Sequence, residues 1–170
     1  PERIAWRFDP LIRAATGAGT VTNSGMFAEL AEQIRACGIT TCRTSWVEPY
    51  AKVLRRMEQC GCKLLPWSAQ EKAAQARALE KAAAGLGMQL YYCSMPGFPR
   101  SACIDGRLLG RLHPDGARCS LRTAKGQRTQ CGCTESIDIG WYSLKCTNGC
   151  LYCYAEPSLP FKKPVESRGD

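Results

Sequence analysis

Five of the chain's twelve cysteines crowd into the 23 positions from Cys131 to Cys153, and any fold it adopts must accommodate that convergence. Cys146, Cys150 and Cys153 have the spacing C-x3-C-x2-C, while Cys131 and Cys133 flank Gly132 upstream. Three thiolates on one short loop can each take a different iron of a cubane, leaving the fourth iron open or bound from elsewhere. Gly149 supplies the backbone freedom for such a wrap. Four of the five thiols can instead close a tetrahedral zinc site. Iron–sulfur is therefore the first reading, zinc its competitor, and inert thiols or disulfides the plain alternative.

The remaining cysteines argue against a disulfide scaffold. Cys37, Cys42, Cys60, Cys62 and Cys119 are scattered among helix and strand signals, and 170 residues with 45% hydrophobic content can build a core. The compartment reads as reducing, hence cytoplasmic, with the crowded thiols as ligands. No apolar run approaches the roughly 18–20 residues of a membrane-spanning helix, so no membrane partner is expected. A net charge of +8, from 23 Lys and Arg against 15 acids, favours an anionic partner. The excess is spread along the chain without a dense basic run interleaved with aromatics, so a basic soluble surface is a plainer reading than a nucleic-acid site.

The first half alternates strand and helix signals. Residues 3–8 read as a strand that enters Asp9-Pro10 and a Gly/Thr-rich loop through Asn23. Ser24 is the expected N-cap of a helix over 25–37, with an apolar stripe of Met26, Phe27, Leu30, Ile34 and Cys37, ended by Gly38. Ile39–Ser45 is a β-branched strand, 49–60 a helix stopped by Gly61, 69–86 a second helix, and Met88–Cys93 a buried strand. That order predicts an α/β fold, a partial barrel-like parallel sheet with helical crossovers. After Cys93, frequent Gly and Pro predict an irregular cysteine-rich segment, with Asp105–Leu112 as a short helix. The expected units are a scaffold over 1–95, a metal-binding segment over 96–155 and an extended tail over 156–170.

Cys146–Ala155, with Gly149-Cys150-Leu151-Tyr152-Cys153, resembles the cluster loop of radical S-adenosylmethionine enzymes. The resemblance implies a [4Fe–4S] cluster on Cys146, Cys150 and Cys153, S-adenosylmethionine on the open iron, Tyr152 beside the cofactor, an electron donor and an unidentified substrate. Arg7-Phe8-Asp9-Pro10, Cys103-Ile104-Asp105, Cys131-Gly132-Cys133 and Ser136–Gly140 complete a pattern similar to the bacterial family catalogued as domain of unknown function eighteen-forty-eight. It implies that the chain is the later part of a longer protein. Its opening Pro1-Glu2-Arg3-Ile4, without an initiator Met, agrees with that expectation. The pattern departs from most radical S-adenosylmethionine enzymes in two respects. Only 17 residues follow Cys153, which places any barrel upstream in a permuted order, and no Gly-Gly-Glu segment is present.

Cys93, at a strand end, and Cys103 can join Cys131 and Cys133 in a second, four-thiolate site. Arg7 and Asp9 fall at the binding end of the first strand, where substrate contact competes with a structural ion pair or an Asp-Pro turn. Asp105 and Asp138 read first as turn or helix caps and second as ligands for an ammonium group. His113, the sole histidine, reads as an exposed loop residue. Trp6, Trp46, Trp67 and Trp141 read as core. Two functions follow: a radical S-adenosylmethionine-like enzyme, or a non-enzymatic zinc or iron–sulfur protein with a nucleic-acid or redox partner.

Overall fold

Ten elements run in chain order: β1 (Trp6–Arg7), β2 (Arg13–Thr16), β3 (Gly19–Thr22), α1 (Phe27–Ala36), β4 (Thr41–Thr44), α2 (Ala51–Gln59), β5 (Lys63–Leu64), α3 (Ala69–Gly85), β6 (Gln89–Tyr92) and α4 (Gly106–Leu112). They come from a computed structural model that describes residues 2–137 and 148–153. Asp138, Trp141, Cys146 and the expected tail over 156–170 lie outside the described residues.

β1, β4 and β6 form a parallel sheet in that order, with Cys42 opposite both Trp6 and Leu90. The α/β class follows directly. Side chains alternate along each strand, so the register divides the sheet into two faces. Trp6, Cys42, Leu90 and Tyr92 turn toward α1 and α3, where Phe27, Ala31, Leu79 and Ala83 meet them in the main core. Phe27 lies 5.4 Å from Trp6 in a stacked pair and 5.2 Å from Phe8 edge-on, an aromatic cluster that burial of this size stabilises by a few kcal/mol. Trp46 stacks on Tyr92 at 5.7 Å, so the tryptophans described are core residues or pack against it. Cys42 is buried, its thiol pushed up to about 11 by that burial, and it is inert.

Three details differ from the sequence reading. Residues 10–23 are not a loop, because β2 and β3 pair as an antiparallel hairpin from Arg13–Thr22 to Thr16–Gly19. β5 adds to β2, giving a second sheet in the order β3-β2-β5 against which Val53 and Met57 of α2 pack. Ser24 does not cap α1; Ser24–Met26 is a 3₁₀ turn, and the Ser24 hydroxyl pairs with that of Thr22. With the helix starting later and ending at Ala36, Met26 and Cys37 fall on the flanking turns and are exposed, leaving a narrower stripe around Phe27 and Ala31.

α3 carries a complete capping box. The Ser68 hydroxyl accepts from Glu71 N at 3.2 Å, and the Glu71 carboxylate accepts from Ser68 N at 2.8 Å. Ser68→Ala is expected to cost about 1 kcal/mol, read from the midpoint of a urea unfolding curve; an unchanged midpoint would contradict the cap's role. Glu71 also binds Arg13 at 2.7 Å, so the helix start is tied to β2. Arg13 first, and then Ser68, hold the Glu71 carboxyl at about 2, below its ordinary 4.5. The folded value is the lower one, so this contribution is complete above pH 4.5 and disappears as pH falls toward 2. Glu71→Gln is expected to flatten the fall of Tm across that interval, and an unchanged acid limb would contradict the linkage.

Candidate metal centre

The carboxyl ends of the three parallel strands lead into Asp9, Ser45 and Cys93, at the end of such sheets where ligands bind. Asp9 accepts a hydrogen bond from the Ser45 hydroxyl and an ion pair from Arg7 at 2.6 Å. Arg7 also donates to the Cys103 sulfur. Cys103 in turn lies 3.8 Å from the sulfur of Cys93.

Local structure explains how two cysteines ten positions apart meet. Beyond β6 the chain turns through Ser94, whose φ of 56° is positive, and Phe98 packs back on Tyr92 with ring centroids 4.0 Å apart. The Ser101 hydroxyl then donates to the Tyr92 carbonyl at 2.8 Å, which returns Cys103 to the strand end. Gly132 N donates to the Ser101 carbonyl at 3.0 Å and Arg100 to the Cys131 carbonyl at 2.6 Å, laying the Cys131–Cys133 turn alongside. The Cys133 sulfur accepts from the amides of Cys103 and Ile104 at 3.2 and 3.4 Å, and the Cys131 sulfur from Cys133 N at 3.5 Å.

The sulfurs are electrostatically unequal. A hydrogen bond from Cys103 lowers the Cys93 thiol to about 6, burial opposes this, and Arg7 and Arg128 add to the lowering. Cys103 is raised by giving that hydrogen bond and by burial, and Cys131 is raised chiefly by burial. Within the pair, Cys93 is therefore the sulfur that loses its proton more readily. Among the described residues, no group of three or more His, Cys, Asp or Glu side chains is arranged to hold a metal ion as it stands.

The other cysteine loop docks on the second core. Leu151 and Tyr152 pack with Val53 and Met57, and the buried Arg56 donates to the carbonyls of Leu151 and Cys153. Cys153 N bonds the Cys150 carbonyl at 3.1 Å, closing the turn that carries both thiols, and Gly149 before it has φ 59°. The Tyr152 phenol is raised first by burial, then by Cys150, Cys153 and Asp9.

The sheet face away from α1 carries Arg7 and Arg43 in register with Tyr91 and borders a cavity of about 640 Å³. Arg3, Arg7, Arg43, Arg100 and Arg111 line it together with Cys103, against the two acids Glu2 and Asp105. Arg43 Nε is buried there without a hydrogen-bond partner.

The family model described as Domain of unknown function (DUF1848) matches residues 1–155. The chain belongs to the DUF1848 family. No curated protein and no solved structure matches it. In this DUF1848 chain the expected residues Cys93, Cys103, Cys131 and Cys133 come together, and Tyr152 lies with Cys150 and Cys153. Cys146 and Asp138 fall outside the described residues. Asp105 is the N-cap of α4, accepting from Arg107 N at 2.9 Å, and Asp9 is in an ion pair, so both follow their structural readings. His113 is exposed, and its Nδ1 accepts from the amides of Asp115 and Ala117. The residues missed were Arg56, Arg128 and Ser45. For Arg128 the signal was its place three positions before Cys131 in the basic stretch over 118–128.

Proposed function

We propose that this DUF1848 chain binds a [4Fe–4S] cluster through Cys146, Cys150 and Cys153 and acts as a radical S-adenosylmethionine-like enzyme on an anionic substrate. The carrying observation is the Cys150–Cys153 turn, which Arg56 fastens to α2 with both thiols on one short loop. The donor set fits the group, since two thiols on one hydrogen-bonded turn suit thiophilic iron. Bound there, the cluster supplies the electron for reductive cleavage of S-adenosylmethionine.

The remaining roles belong to the chain itself. Cys146, Cys150 and Cys153 hold the irons, Tyr152 flanks the cofactor, and Arg56 fixes the loop. The arginine-lined cavity supplies the positive field that an anionic substrate requires. The alternative is a non-enzymatic iron–sulfur or zinc protein with a redox or nucleic-acid partner, in which a fourth thiolate closes the same metal. The convergence of Cys93 and Cys103 at the strand ends favours keeping it as a second reading. Anaerobic reconstitution with iron and sulfide, followed by a reductant and S-adenosylmethionine, separates the two. The enzyme releases methionine and 5′-deoxyadenosine; a reduced, fully loaded protein that leaves the cofactor intact would exclude it.

A further inference from the structure

We propose that Cys93, Cys103, Cys131 and Cys133 form a second metal site that closes on a single zinc ion, independent of the cluster at the C-terminal loop. Four sulfurs at about 2.3 Å from one tetrahedral zinc stand roughly 3.8 Å apart. The Cys93–Cys103 separation of 3.8 Å matches that edge. It is far longer than a disulfide of about 2.05 Å. A cubane is a poorer fit, because its cysteines bind separate irons and their sulfurs are spread beyond such a contact.

Two further observations suit these sulfurs to metal ligation. Three backbone amides donate to the Cys131 and Cys133 sulfurs, the pattern of outer hydrogen bonds that orients metal ligands. Arg7 donates to Cys103 and Arg128 to Cys93, so two guanidinium groups face the cluster from opposite parts of the chain. Four thiolates around Zn²⁺ carry a net charge of −2, and those two arginines, which also pair with Asp9 and Glu48, offset part of it. Binding releases the thiol protons to solvent and leaves the metal redox-inert.

The four thiols are neighbours and not yet a cage, so closure requires the cysteine side chains and their loops to rearrange around the ion. Once closed, the ion ties the loops over 94–103 and 128–134 to the end of β6. That fixes Cys103, and through it the Arg7–Asp9 pair at the carboxyl end of β1. The site is a structural one, and zinc is the divalent ion whose tetrahedral preference and thiolate affinity suit it.

The test uses the full chain, with zinc measured by elemental analysis and coordination by the visible spectrum of the Co²⁺-substituted protein. The Cys146→Ser/Cys150→Ser/Cys153→Ser variant is expected to retain one zinc per chain and a tetrathiolate cobalt spectrum, whatever becomes of iron binding. Cys103→Ser/Cys131→Ser is expected to lose that zinc, whereas Cys37→Ser, at an exposed position, keeps it. If a double variant unfolds, the cobalt spectrum of the C-terminal triple variant still decides by its thiolate count. Zinc that persists without Cys103 and Cys131, a cobalt spectrum of fewer than four thiolates, or a metal-free Cys93–Cys103 disulfide under reducing purification would overturn the proposal.

Discussion

Cys150→Ser/Cys153→Ser is expected to lose iron and labile sulfide almost completely after anaerobic reconstitution. Removing an outer partner of a metal ligand weakens binding by about 10- to 100-fold, and deleting two of three inner ligands costs more than that. The fold is expected to survive. Both side chains are half-buried on a surface turn, while the apolar anchors Leu151 and Tyr152 and the Arg56 bonds to main-chain carbonyls are untouched. Iron and sulfide analysis alongside circular dichroism gives the comparison. Wild-type iron content in a folded double variant would remove the loop from the metal site.

Gly132→Ala carries the second large effect, and it acts through the backbone. A Cβ at position 132 would stand 2.7 Å from the Ser101 carbonyl oxygen and 3.0 Å from its carbon. Real Cβ atoms do not approach main-chain oxygens so closely, and Ser101 cannot retreat because it is buried and bonded to Tyr92. The Cys131–Cys133 turn must therefore move away from Cys103. The expected cost is about 1–3 kcal/mol of stability, of the size found for overpacked sites, with loss of the zinc proposed for the four-thiolate site. Urea unfolding and zinc content measure the two effects. A variant equal to wild type in both would show that close contact between these loops is not required.

Helices and central strands were legible because burial on one face leaves a period in the sequence. In α3, Ala76, Leu79 and Ala83 face the core at helical spacing, the Ser68–Glu71 box marks its start, and Gly87, at φ 64°, follows its end. The β2–β3 hairpin left no such trace. β3 is exposed on every residue, so Gly19-Thr20-Val21-Thr22 has no buried face to alternate with, and the two-residue β5 is too short to show a period.

The same distinction applies to the candidate site. Cys131-Gly132-Cys133 reads as a ligand pair from its spacing, and Cys93 from its place at a strand end. Arg7 comes to Cys103 across 96 positions, and Arg56 to Cys153 across 97, contacts created by tertiary packing. No local pattern encodes them. Asp105 shows the converse: its helix-capping role is local, and the sequence states it directly.

An accessible iron in the Cys146–Cys153 loop is most directly tested by electron paramagnetic resonance of the reconstituted, reduced protein, recorded with and without S-adenosylmethionine. A [4Fe–4S] signal whose g-values shift on adding the cofactor is the expected result, since an iron without a cysteine ligand takes up the methionine moiety. A cluster signal indifferent to the cofactor, or a folded protein that takes up no iron, would contradict it.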